Sequence, residues 1–155
     1  MDSKRFFKRG SQKRYGMVSY QAILDDLIQK LKRNMELLMA TQEVPLSKVE
    51  LPKSPGVYMI FFEGKLQYIG SSGDLNHRIK TTLLSGNRKS HTLINKLCEL
   101  RNWDLMETRN FLKSSNIKFI ATKTEDDAKI LEDVLIAIYH PFYNIPLRKL
   151  RKLKK

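Results

Sequence analysis

The chain has 155 residues, 41% of them apolar and 29% charged, which suits one packed domain and excludes global disorder. A single cysteine, Cys98, excludes an internal disulfide framework and a multi-thiolate zinc site, and the apolar runs are too short to span a membrane. The formal net charge is +13, of which residues 1–16 hold a net five and residues 148–155 a net six, around a nearly balanced middle.

The first arm carries Lys4, Arg5, Lys8, Arg9, Lys13 and Arg14, interleaved with Phe6, Phe7 and Tyr15. The last carries Arg148, Lys149, Arg151 and Lys152 with two further lysines. Such arms suit a polyanion, because neutralised phosphates release their counterions. An anionic membrane surface is the competing target, but no hydrophobic anchor accompanies the charge. Nothing at the amino terminus reads as a secretory signal, so the expected location is intracellular, and cytoplasmic if the source is a bacterium or phage.

In chain order, residues 19–42 read as an amphipathic helix with Ile23, Leu24, Leu27, Ile28, Leu31, Met35 and Leu38 on one face. Leu24, Leu31 and Leu38 are spaced as in a heptad; packing on the chain's own core is expected, with a homodimer as the alternative. Pro45, Pro52 and Pro55 mark a linker over residues 43–55. Residues 56–62 and 65–69 read as a β-hairpin, and residues 74–84 as a helix opened by Ser72-Gly73-Asp74. Short helices follow over 91–101 and 104–114, then a strand over 116–122 and a helix from Thr124 to Tyr139, ended by Pro141. The expected class is α+β. The expected domains are an arm at 1–16, a helical extension at 17–54, a core at 55–147 and a tail at 148–155.

Within this order stand Gly56-Val57-Tyr58 and Tyr68-Ile69-Gly70. Arg78 follows ten residues after Tyr68, and Glu132 and Asn144 come later. This pattern resembles the GIY-YIG nuclease family over about residues 55–145, with Val57 in place of the usual isoleucine. The resemblance implies a small three-stranded antiparallel sheet flanked by helices, here with an extra N-terminal helix. It implies a metal-dependent DNA endonuclease: Tyr58 as general base, Tyr68 on a phosphate or water, Arg78 on the phosphoryl group, and Glu132 as ligand to one Mg²⁺ or Mn²⁺. Gly56, Gly70 and Asn144 are expected to support the site. Double-stranded DNA is the expected partner, with no small-molecule cofactor.

These residue types suit the reaction. Mg²⁺ needs few protein oxygens, so one carboxylate plus a phosphate suffices. Arginine clamps a phosphate with two parallel donors. A free tyrosine, with a pKa near ~10, is a poor base unless a nearby cation favours its phenolate. Thr82 stands where several family members carry His or Tyr four residues after the arginine. His91 opens the next helix and is a candidate general acid or phosphate contact, or else a solvent-exposed helix-start histidine. His77 and His140 are read as non-catalytic.

Strand parity supplies a geometric test. A regular two-residue Glu63-Gly64 loop would put Tyr58 and Tyr68 on opposite faces. A three-residue loop with left-handed Gly64, or a bulge with the same effect, is therefore expected. Without a zinc module, large extra domains or a long linker, the chain best resembles the compact type II restriction enzymes of the family. A repair, phage or mobile-element nuclease is the alternative, as is a DNA-binding module that has lost cleavage.

Overall fold

The computed structural model describes residues 19–153. The expected N-terminal arm, with its six basic residues, lies outside them. The sheet is antiparallel and has four strands in the order β1-β4-β2-β3: β1 (Val44–Pro45), β2 (Gly56–Phe62), β3 (Lys65–Ser72) and β4 (Asn116–Ala121). The fourth strand corrects the three-stranded expectation. It is a two-residue ladder in the proline-rich linker, where Pro45 occupies an outer strand and so breaks no central hydrogen bond.

Alternation along β2 builds two cores. Tyr58, Ile60 and Phe62 face a π-helical turn (His77–Leu83), α2 (Thr92–Arg101) and α3 (Leu105–Lys113). Val57 and Met59 face α1 (Tyr20–Ala40) and α4 (Glu125–Tyr139). Helix ends follow their caps. Thr124 accepts from the Asp127 N–H, Asp104 and Glu107 form a capping box, and Asn102 and His140 close their helices in the left-handed conformation.

The hairpin keeps the expected parity by the bulge. Glu63 and Gly64 have φ of 55° and 70°, as a two-residue type I′ turn requires, and Phe62 pairs with Lys65. The register then slips: Phe61 pairs with Leu66 but Ile60 with Tyr68, leaving Gln67 unopposed. Tyr58 lies opposite Gly70, so both tyrosines share one face, diagonally rather than directly opposed. The three-residue loop is thus corrected.

Two further expectations change. Only the C-terminal part of the α1 stripe packs inward, with Leu38 buried and Leu31 and Met35 half-buried; Ile23, Leu24 and Ile28 are exposed. The expected tail boundary falls inside a helix, α5 (Leu147–Leu153), which is docked by buried Leu150 and by Arg151 on Glu99. Among the described residues, no helix is long and apolar enough to cross a membrane.

Candidate active site

The strand pattern puts Tyr58 on β2 and Tyr68 on β3 into one aromatic group with His91. Ring centroids are 6.2 Å apart for the tyrosines, 6.3 Å for Tyr58 and His91, and 5.6 Å for Tyr68 and His91. Gly70 is what lets Tyr58 lie this way. A Cβ there would overlap the Tyr58 hydroxyl and ring, so only glycine leaves the phenol room to cross β3. Gly56 serves similarly at the other end of the pair, where a Cβ would overlap the Ile120 carbonyl and Leu75.

The Tyr58 hydroxyl is held from two sides. His91 Nε2 is 2.8 Å from Oη, and Arg78 Nε donates to the same oxygen at 3.4 Å. The His91 proton can be assigned from its other nitrogen. Nδ1 accepts the Leu93 N–H at 3.1 Å, so neutral His91 carries its proton on Nε2 and donates to Tyr58. Burial, with help from the Arg78 charge, pulls its pKa down to about 3, which keeps the ring neutral. His91 is buried with both nitrogens engaged. That corrects the expectation of an exposed helix-start histidine.

Burial and the neighbouring Tyr68 push the Tyr58 phenol well above the usual tyrosine range, more than Arg78 pulls it down. Tyr68 is also raised by burial, against Arg78. Both are phenols near neutral pH, and Arg78 is the cation facing them. Arg78 sits on the π-helical turn, where Leu84 N donates to Ile79 O and the Thr82 hydroxyl donates to the Arg78 carbonyl. Thr82 is therefore a backbone bond in this turn.

Glu132 approaches from the opposite face, on α4. Ser71, next after Gly70 and so pointing to the α4 side, donates its hydroxyl to Glu132 Oε2 at 2.5 Å. Lys129 Nζ donates to the same oxygen at 3.1 Å. The site thus straddles the edge strand β3. Ser71 and Lys129 are absent from the sequence-derived set. Strand alternation and the i, i+3 spacing to Glu132 were the signals that could have found them.

Asn144 completes β3's outer edge. Its Oδ1 accepts the Ile69 N–H and its Nδ2 donates to the Ile69 carbonyl, both at 2.8 Å. The amide thereby stands in for a neighbouring strand. Buried Lys96 brackets it, donating to the carbonyls of Tyr143 at 2.7 Å and Ile145 at 2.8 Å.

Of the basic tail, Arg148, Lys149 and Lys152 are exposed, whereas Arg151 donates Nε and Nη2 to the Glu99 carboxylate. Arg151 is exposed as well, and shares its guanidinium with that carboxylate.

Among the described residues, no three His, Cys, Asp or Glu side chains gather as a metal cage. The fit is to a hard cation that needs one carboxylate: Oε2 of Glu132 is fixed by Ser71, and the rest of the coordination can come from water and substrate.

Comparison with known proteins matches residues 54–145 to the UvrC-like GIY-YIG domain model. UvrABC system protein C of Campylobacter jejuni strain RM1221 is 38% identical over 104 residues, covering 63% of this chain and 15% of that protein. That of Dictyoglomus thermophilum is 34% identical over 103 residues, covering 65% and 14%. The chain therefore spans about one seventh of the length of these curated relatives. Among solved structures, the GIY-YIG N-terminal endonuclease domain of UvrC from Thermotoga maritima, bound to magnesium, matches 74% of this chain and 98% of its own. The TM-score is 0.43 and the identity 22%. The relatives matched are UvrABC system C proteins, and the restriction-enzyme expectation finds no support in them.

Proposed function

This chain belongs to the UvrC-like GIY-YIG domain family, and from that premise we propose that it is a metal-dependent DNA endonuclease acting in repair rather than restriction. The observation that carries the proposal is the double hydrogen bond to the Tyr58 hydroxyl, from Arg78 and His91. A tyrosine needed only for packing would not require two donors at a buried oxygen. Two donors, one of them charged, are what a phenolate requires.

In this reading Tyr58 is the general base. Its minor phenolate form takes a proton from the attacking water, whose oxygen forms the new bond to phosphorus. The bond from phosphorus to the leaving sugar oxygen then breaks, that oxygen takes a proton from solvent, and Tyr58 returns its own proton to solvent. Arg78 steadies both the phenolate and the phosphoryl oxygens, and Tyr68 orients the same phosphate or water. His91 never changes charge; it is a positioning residue whose Nε2–H holds Tyr58 in line. Glu132 would hold a divalent cation, Mg²⁺ or Mn²⁺, which when bound supplies Lewis-acid stabilisation of the phosphoryl group and leaving oxygen.

The test is incubation of supercoiled plasmid, and of duplexes carrying a lesion or a flap, with Mg²⁺ and with EDTA. Nicked or linear product that needs the metal supports the reading. Salt-sensitive binding without cleavage on every substrate would make this a binding module instead. Discrete fragments of fixed length from one sequence would restore the restriction role.

A further inference from the structure

Lys129 lies one turn before Glu132 on α4. Its ammonium is 3.1 Å from Glu132 Oε2 and 2.9 Å from Asp133 Oδ1. The carboxylate suited to a divalent cation therefore already faces a fixed positive charge. The groups bonded around it come from two elements. β3 brings the neutral Ser71 hydroxyl, and α4 brings Lys129, which also holds Asp133. Asp133 is exposed and occupied by Lys129, so its charge is spent on holding the ammonium in place.

The electrostatic consequence is direct. The Lys129 ammonium sits on the Glu132 oxygen that a cation would take, so at that oxygen the charge is already paired. A hydrated divalent ion gains little by entering from water. A phosphodiester alters this balance, because it brings a negative charge that can draw Lys129 away from Glu132. With the ammonium drawn toward phosphate, Glu132 regains its charge for the cation.

Resting on the nuclease reading above, we propose that Lys129 is a positioning residue that acts through Glu132 and makes divalent-metal binding conditional on a bound phosphodiester. The free protein then holds metal weakly, and ion and DNA assemble together. Lys129 is more than half exposed, so its replacement removes charge without opening the core.

The test is Mn²⁺ binding to the full chain by electron paramagnetic resonance, without DNA, for wild type, K129M, K129R and E132Q, with melting temperature as the fold control. Removing one unit charge a few ångströms from a divalent ion, partly screened by solvent, should tighten binding about tenfold in K129M. K129R should match wild type. A short duplex, added in the Tyr58→Phe background, should tighten Mn²⁺ binding several-fold with Lys129 present and much less with K129M. Equal Mn²⁺ affinity in K129M and wild type, or equal tightening by the duplex, overturns the proposal. If E132Q binds Mn²⁺ as well as wild type, the metal site itself is misassigned, and the proposal falls with it for that separate reason.

Discussion

The Tyr58 hydroxyl and His91 Nε2 lie 2.8 Å apart, although 33 residues separate them in the chain. The contact depends on three local devices. The Gln67 bulge turns Tyr58 and Tyr68 to one face, Gly70 clears the space under the phenol, and His91's role as N-cap of α2 fixes its tautomer. Tyr58→Phe should leave the His91 Nε2–H unpaired and Arg78 with Tyr68 as its remaining phenol partner. We expect a loss of about 1–3 kcal/mol in stability and a cleavage rate lower by about 10²–10⁴, read by denaturant melts and single-turnover cleavage. Because burial holds the wild-type phenol above its ordinary pKa, cleavage should also rise with pH between 7 and 9. A flat profile would remove Tyr58 as base.

Gly70 and Gly64 should respond differently to alanine. At Gly70 the added methyl overlaps Tyr58, so G70A should cost about 1–3 kcal/mol and reduce cleavage by at least tenfold. At Gly64 there is open space but φ is 70°, so G64A should cost about 1 kcal/mol and leave cleavage unchanged. Equal activity losses in the two variants would contradict the space argument.

Acid should destabilise the protein through His91. Its pKa is about 6.5 unfolded and about 3 folded. Between these values the unfolded chain binds a proton that the folded one does not. Stability is therefore lost as pH falls below about 6.5, by up to about 1.4 kcal/mol per unit for this group alone. His91→Asn keeps an N-capping side chain. The wild-type melting temperature should fall faster than that of the variant between pH 7 and 4.5, and parallel curves would refute the assignment.

The tail offers a graded test of DNA binding. K149Q and R148Q should each reduce the slope of log affinity against log salt by about 0.9. R151Q should reduce it less, because Glu99 already holds that guanidinium. A larger effect at Arg151 would mean that DNA displaces Glu99.

The main strands and helices were readable because their patterns are long and locally capped, as at Thr124 and Asp104. The tyrosine parity was readable too, as a choice between loop and bulge. Which one occurs was not, since Glu63 in a left-handed conformation has no strong sequence mark. The β1 ladder is only two residues long, and the docking of α5 depends on Glu99, 52 residues away. The exposed half of the α1 stripe looks like any core face until its exposure among the described residues is seen. His91 appeared ambiguous because its burial and both hydrogen bonds are tertiary facts.

The central claim is that Glu132 and Tyr58 form one metal-dependent cutting site. The most direct measurement is single-turnover cleavage of supercoiled plasmid in Mg²⁺ by wild type and by Glu132→Gln, at protein concentrations where both bind the DNA equally and with melting curves showing both folded. The account predicts EDTA-sensitive nicking or linearisation by wild type and a loss of at least a hundredfold in E132Q with DNA affinity retained. Equal cleavage by the two proteins would contradict it.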